Sequence, residues 1–110
     1  MATADVLKDA IRNKRQVTAM FDGFPREFCP HAIGWKGPTE KKANTTYHVI
    51  GYQFGGSSKS GLPPGGQWRC FPVDGLSDVA SRAGEWHTGD NHTKPNTCID
   101  QNRIELEVAY

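Results

Sequence analysis

Short apolar blocks recur along most of the chain and predict β-strands. The two most apolar blocks, 47–53 and 68–74, are rich in β-branched and aromatic residues and are bounded by glycine and proline, as strands usually are. Glycine, proline and serine dominate the run 55–66 between them, which predicts a mobile loop that can be shortened without loss of folding. The blocks therefore predict a hairpin, and we expect it to bring three candidate site residues close together: His48, Tyr52 and Arg69.

The pattern before this hairpin predicts one helix followed by a strand. Residues 3–14 carry a narrow apolar stripe at helical spacing, and Thr3 is placed to cap the helix. Residues 16–21 then alternate between two faces, as a strand does. Asp22-Gly23 follows directly and is the strongest short hairpin signal in the chain. We therefore expect the next strand to pair with this one.

The remaining segments complete a mainly β prediction. The strand over 24–29 should bend or end at Pro30, which cannot donate to a ladder, and resume over 31–35. The spacing in 76–86 fits either a short helix or a strand, whereas 104–108 alternates as a half-buried strand does. The predicted fold is a mainly β (α+β) domain, with five or six strands in a partly open barrel and one N-terminal helix.

Composition narrows the classes of function. A chain of 110 residues is expected to form one domain, 1–110. The net charge of +1 argues against strong general affinity for nucleic acid, although residues 1–60 hold nine Lys/Arg against five Asp/Glu. No apolar run has membrane-spanning length, and the first residues lack a signal pattern, so we expect a cytoplasmic protein.

Cysteine usage predicts neither a disulfide nor a bound metal. The three cysteines, Cys29, Cys70 and Cys98, are odd in number and irregularly spaced, so they are interpreted as buried apolar residues. No Cys-x-x-Cys or paired-histidine spacing accompanies them. No cofactor is expected, because no phosphate-binding loop or dinucleotide motif occurs in the chain.

Several motifs, taken in order, resemble the WYL domain family. After a helix, a strand and the Asp-Gly turn, the matching residues are Arg26-x-x-x-Pro30, then Tyr47-His48-Val49-Ile50-Gly51-Tyr52, then Arg69-x-Phe71-x-Val73-Asp74-x-Leu76-x-x-Val79. The resemblance covers about 5–86, and the loop and strand of 87–110 have no counterpart in it. At the place of the tripeptide that names the family, this chain has Tyr47-His48-Val49.

The resemblance implies a regulatory binding module and not an enzyme. WYL domains are Sm-like small β-barrels, usually joined to a DNA-binding domain in bacterial transcription regulators, and nucleic acid or nucleotides are implicated as their ligands. A free-standing module that binds single-stranded nucleic acid or a nucleotide-like anion is therefore one expectation. The other is an assembly module that forms a homodimer or docks on a partner regulator, as Sm-like barrels do.

Seven residues are candidates for ligand contact: Arg69, His48, Arg26, His31, Tyr47, Tyr52 and Phe71. The resemblance places Arg69 and Phe71 in a motif that lines the ligand pocket. Physically, arginine offers a planar fork suited to phosphate, and aromatic rings on strands can stack bases.

Each candidate also has a structural interpretation. Arg69 could pair with Asp74, and Arg26 could be a solvated surface residue. The aromatic candidates could be part of the core, and the three tryptophans are expected to bury the ends of the barrel. A remote alternative makes His31 and His48 an acid–base pair acting on a phosphodiester, but no nucleophile motif accompanies them.

Overall fold

The computed structural model describes residues 2–37, 45–57, 61, 65–89, 99–100 and 103–108. Its elements are helix α1 (Thr3–Asn13), strands β1 (Gln16–Phe21), β2 (Phe24–Lys36), β3 (Thr46–Gly56) and β4 (Gln67–Pro72), a 3₁₀ turn (Val73–Gly75), and strands β5 (Ser77–Arg82) and β6 (Ile104–Glu107). The six strands form one antiparallel sheet in the order β4-β3-β2-β1-β5, and β6 also pairs with β2. The sheet is not closed and fits a partly open barrel, so the predicted fold class is confirmed.

Strand β2 organises the sheet because it is 13 residues long and has partners on both edges. Along one edge, β1 pairs with residues 24–28 and β6 pairs with residues 32–34. Along the other edge, β3 pairs with nearly its whole length. The register with β3 shifts between Pro30 and Ala32, so His31 lies at a bulge. Proline therefore bends the ladder here without ending the strand.

Helix α1 packs its apolar stripe on the sheet. Leu7, Ala10 and Ile11 are fully buried and join a core built from the strands. The N-cap is Ala2 and no side chain caps the helix, so the prediction that Thr3 is the cap is wrong. The core contains Leu7, Ala10, Ile11, Val17, Ala19, Phe28, Ile33, Val49, Phe71, Val73, Leu76 and Val108.

The β1–β2 turn lies where the sequence predicts it, whereas β3 extends into the predicted loop. Asp22 and Gly23 have φ of 54° and 78° and close the β1–β2 hairpin as predicted. The ambiguous region after the 3₁₀ turn is a strand, β5. Gly55 and Gly56, which the sequence predicts to lie in a loop, belong instead to β3 because they pair with β2. The rest of the proposed dispensable loop falls largely outside the described residues, and its dispensability stays a prediction.

Candidate functional site

The candidate residues of the β3–β4 hairpin divide between the two faces of the sheet. Arg69 and Phe71 lie two residues apart in β4, on the face that carries the main core. His48 and Tyr52 lie on β3, and the register with β4 places them on the opposite face. The prediction that His48, Tyr52 and Arg69 lie close together is therefore wrong. Sequence proximity within a hairpin does not fix the face that a side chain occupies.

Arg26 is a buried cation surrounded by aromatic rings. The residue is only 4% exposed, and its guanidinium carbon lies 5.3, 5.9 and 5.7 Å from the ring centroids of Phe21, Phe24 and Phe71. Nη1 donates to Gln53 Oε1 at 3.3 Å and Nη2 donates to the Phe21 carbonyl at 3.2 Å. Within the described residues, Nε has no hydrogen-bond partner and no carboxylate is ion-paired with the group. Arg26 is thus not the solvated surface residue of the structural interpretation.

Gln53 links Arg26 to the end of β3. Its side chain is fully buried, and Nε2 donates to the carbonyls of Gly55 at 3.0 Å and Ser57 at 3.3 Å. Because its Oε1 also accepts from Arg26, the amide of Gln53 hydrogen-bonds to three groups at once. A buried amide with every partner in place is rigid, because each lost hydrogen bond would leave a desolvated group. The buried side chains of Gln53 and Arg26 are therefore held in one arrangement before any ligand binds.

Arg69 supplies a second guanidinium close to Arg26. It is half-buried, and its Nη2 donates to the Gly61 carbonyl at 3.1 Å. Burial lowers the pKa of Arg26, and the positive charge of Arg69 lowers it further. A buried cation whose charge is disfavoured by a neighbouring cation lies in a positive potential, which an anion would relieve. We call the group Arg26, Gln53 and Arg69 the arginine site.

The structural alternative for Arg69 required an ion pair with Asp74. The ion pairs of the described residues are Lys8 with Glu105 and Arg82 with Glu27, so Asp74 does not pair with Arg69. Asp74 instead lies in the 3₁₀ turn that follows β4. This alternative is therefore not supported by the geometry.

On the other face, His31 is enclosed by two tryptophans. Its ring centroid lies 4.6 Å from that of Trp68 and 4.7 Å from that of Trp86, and the residue is 2% exposed. Nδ1 lies 2.7 Å from the Cys29 carbonyl and Nε2 lies 3.0 Å from Thr88 Oγ1. With both nitrogens bonded and the ring covered, His31 is not available to a phosphate group.

Tyr52 and His48 also lie on this second face. The Tyr52 hydroxyl donates to the Gly65 carbonyl at 2.6 Å, and its ring meets Trp68 edge-on at 5.3 Å. His48 is partly exposed and lies towards the start of β3, away from the arginine site. The hypothesis that Tyr52 stacks a base therefore competes with its packing on Trp68.

Tyr47 contributes to a cavity that sequence reasoning missed. The cavity has a volume of about 440 Å³ and is lined by Thr3, Trp35, Thr45, Thr46, Tyr47, Pro72, Val73, Asp74 and Leu76. Tyr47 is the one candidate residue in this lining. Trp35 is 36% exposed, the most exposed large apolar side chain of the described residues. The prediction that all three tryptophans are buried at barrel ends is wrong for Trp35.

Cysteine chemistry differs from the prediction. Cys29 is a free, buried thiol whose pKa is raised by burial, as expected of an apolar packing residue. Cys70, by contrast, is exposed at the sheet edge and disulfide-bonded, so the prediction that the chain has no disulfide is wrong. Cys98 lies outside the described residues. Across the described part of the chain, no group of three or more metal-ligating side chains is arranged to hold an ion.

No helix in the described part of the chain has the length and apolar character needed to span a membrane. Comparison of the chain with protein-family models, with curated proteins and with solved structures finds no match.

Proposed function

We propose that this chain is a non-enzymatic, ligand-binding regulatory module for a nucleotide-like anion or single-stranded nucleic acid, of the kind that the WYL resemblance implies. The observation that carries the proposal is the arginine site, where the buried guanidinium of Arg26 lies 5.7 Å from the ring of Phe71, two residues from Arg69, and is affected by the charge of Arg69. Neighbouring cations in a partly desolvated region favour an anion between or above them.

Arg69 is the direct contact in this proposal. It stands on strand β4 and is half-buried, so its guanidinium can reach solvent from a rigid support. A side chain held this way loses less freedom on binding than one on a loop. Its planar fork can donate two parallel hydrogen bonds to a phosphate.

Arg26 has a supporting role. At 4% exposure it cannot offer its fork to a large ligand, but its charge acts across a region with little water. Phe71 lies beneath the site as part of the core, 1% exposed, and is proposed to position Arg26 and not to touch the ligand. Tyr47, His48 and Tyr52 lie outside the arginine site, so the site gives no support to the hypothesis that they contact the ligand.

We propose no catalytic role for His31, because both ring nitrogens are bonded inside the protein. A cytoplasmic location stays a proposal, and the disulfide at Cys70 counts against it, since disulfides persist mainly in oxidising compartments. Alkylation of free thiols in protein taken directly from cells, followed by mass spectrometry, distinguishes the two compartments.

The second candidate function is assembly, as a homodimer or with a partner regulator. Strands β4 and β5 are the two ends of the described sheet order, so each has one strand partner within the described residues. Such edges can pair with another chain. Light scattering coupled to size-exclusion chromatography tests this function, and a strictly monomeric protein would argue against the homodimer.

Fluorescence anisotropy with a labelled single-stranded oligonucleotide tests the anion-binding function. Binding should be strong at low salt and weaken as salt rises. Arg69→Ala should weaken binding roughly 5- to 150-fold, the range expected for a charge-assisted contact. Arg69→Lys should weaken it almost as much, because lysine keeps the charge but loses the fork.

Arg12→Ala is the matched control, since it also removes one positive charge, from the exposed side of α1. Thermal melts accompany each titration. Unchanged binding by Arg69→Ala with wild-type stability would refute the site, as would a loss of the same size in Arg12→Ala.

A further inference from the structure

The cavity beside Tyr47 is built around a pair of aromatic rings in contact. Trp35 and Tyr47 lie directly opposite each other on β2 and β3, and their rings are in contact, with centroids 4.4 Å apart and planes tilted by 33°. One side of the indole is thereby covered by tyrosine, while 36% of the residue remains exposed. A cavity of about 440 Å³ falls within the range of small-molecule sites.

Glu105 on β6 holds both rings in place. Its Oε2 accepts from Trp35 Nε1 at 3.1 Å, and its Oε1 accepts from the Tyr47 hydroxyl and, at 3.0 Å, from Lys8 Nζ. A carboxylate shared by three donors fixes the orientation of the aromatic pair before a ligand binds. This exposed tryptophan is therefore a pre-organised surface and not a loosely held side chain.

The charges of the lining select the kind of ligand. Among the described residues of the lining, Asp74 is the sole ionisable acid or base apart from the Tyr47 phenol, and it forms no ion pair with any described residue. The nearest cation of the aromatic support, Lys8, is bound to Glu105. The N-terminal end of α1, at Thr3, carries a partial positive charge that opposes a cation. A full carboxylate charge outweighs that partial charge.

We propose that this cavity binds a small organic cation with a substituted ammonium group. The cation would lie against the indole of Trp35, with Asp74 as its counter-charge. Indole is the aromatic face with the strongest attraction for cations, and substituted ammonium ions are weakly hydrated partners of such faces. The apolar lining residues Pro72, Val73 and Leu76 suit the alkyl groups of such a ligand. This site is separate from the arginine site and has the opposite charge preference.

NMR titration with choline tests the proposal, and 3,3-dimethylbutan-1-ol serves as its uncharged isostere. The indole N–H signal of Trp35, assigned by its absence in Trp35→Phe, should shift with choline and shift far less with the alcohol. Asp74→Asn and Trp35→Ala should each weaken choline binding, by about 5- to 30-fold for the loss of a desolvated cation–aromatic or charge contact. Other amide signals report whether each variant is folded.

Asp78→Asn is the matched control, because Asp78 is also an exposed acid and lies in β5, three residues beyond Gly75, the last residue of the turn. It should leave choline binding unchanged, and so should Arg69→Ala. Equal affinity for choline and the alcohol would overturn the proposal, because the cavity would then be merely apolar. A folded Asp74→Asn protein with wild-type affinity, or no shift of the Trp35 signal at all, would overturn it too.

Discussion

The two ends of strand β3 have opposite electrostatic character. At its C-terminal end, Gln53 supports the arginine site, where the positive charge of Arg69 acts on the buried guanidinium of Arg26. At its N-terminal end, Tyr47 belongs to an aromatic pair held by Glu105 beside the cavity that contains Asp74. Six residues separate Tyr47 from Gln53, which corresponds to about 20 Å of strand. One strand thus supports a basic region and an acidic one.

The difference lies in how each end obtains its rigidity. At the basic end, a buried amide and three phenylalanine rings hold a cation without an ion pair among the described residues. At the acidic end, the carboxylate of Glu105 on β6 accepts hydrogen bonds from three donors, one each on α1, β2 and β3. The first arrangement depends on burial and packing, whereas the second depends on charge. We therefore expect the two ends to respond differently to packing changes and to pH.

Gly51→Ala should disrupt both ends together and have the largest effect. Gly51 lies between them on β3, and an added Cβ would lie 2.5 Å from Cδ2 of the fully buried Phe28. Because that ring cannot move into solvent, we expect a loss of about 2–3 kcal/mol in unfolding free energy. Chemical denaturation measures it.

Gly75→Ala is the comparison for this substitution, because the nearest atom to its new Cβ is Cε1 of the half-buried Phe21, at 3.1 Å. That ring has room to adjust, so we expect a cost below about 1 kcal/mol. Equal losses in the two variants would mean that packing at Gly51 is no tighter than at the surface turn.

Most of the fold could be predicted from sequence because its signals are local. The Asp22-Gly23 turn, the stripe of α1 and the alternation at the end of the chain each depend on nearby residues. The bulge at His31 on β2 depends instead on pairing with β3, and the strand pairing of Gly55 and Gly56 on β3 depends on β2, more than 20 residues away in the chain. Long-range pairing overrides local composition in such places.

Arg26→Met should affect the basic end alone, with an intermediate effect. Methionine keeps an apolar stem among the phenylalanine rings but leaves Gln53 Oε1 and the Phe21 carbonyl without their donor. We expect a loss of about 1–2 kcal/mol in stability from these two unsatisfied acceptors. Oligonucleotide binding should weaken less than in Arg69→Ala, and choline binding should not change.

Arg12→Met, on the exposed face of α1, controls for the loss of one positive charge. Replacing a buried charge with an apolar group can also be neutral or stabilising. An Arg26→Met protein that unfolds at the wild-type denaturant concentration would show that Arg26 is retained for ligand binding and not for stability.

The candidate site was less predictable than the fold. Arg69 can be predicted from a motif, whereas its electrostatic influence on Arg26 depends on side chains from the separate strands β2 and β4, which no single segment encodes. The cavity could not be predicted because its lining comes from α1, β2, β3, the end of β4 and the 3₁₀ turn. The role of Glu105 could not be predicted for the same reason, since alternation in β6 indicates only that the residue faces outwards.

Glu105→Gln should affect the acidic end alone, and its effect should depend on pH. Hydrogen bonds from Tyr47, Lys8 and Trp35 lower the pKa of Glu105 from 4.5 to about 2. A carboxylate whose pKa is lower in the folded state stabilises the fold above its unfolded pKa. That contribution is lost as the pH falls from 4.5 towards 2. Since the side chain is 38% exposed, screening limits the contribution to about 1 kcal/mol.

Thermal melts of wild type and Glu105→Gln over this pH range test the assignment. At neutral pH the variant should be less stable by about 1 kcal/mol, and the difference should shrink as acid protonates Glu105 in the wild type. Glu107→Gln, an exposed acid on the same strand, should follow the wild-type curve. Because Glu105 holds Trp35 and Tyr47, choline binding should also weaken in Glu105→Gln while oligonucleotide binding stays the same. If the gap between wild type and Glu105→Gln persists undiminished at the lowest pH, the carboxylate charge is not what holds the acidic end together.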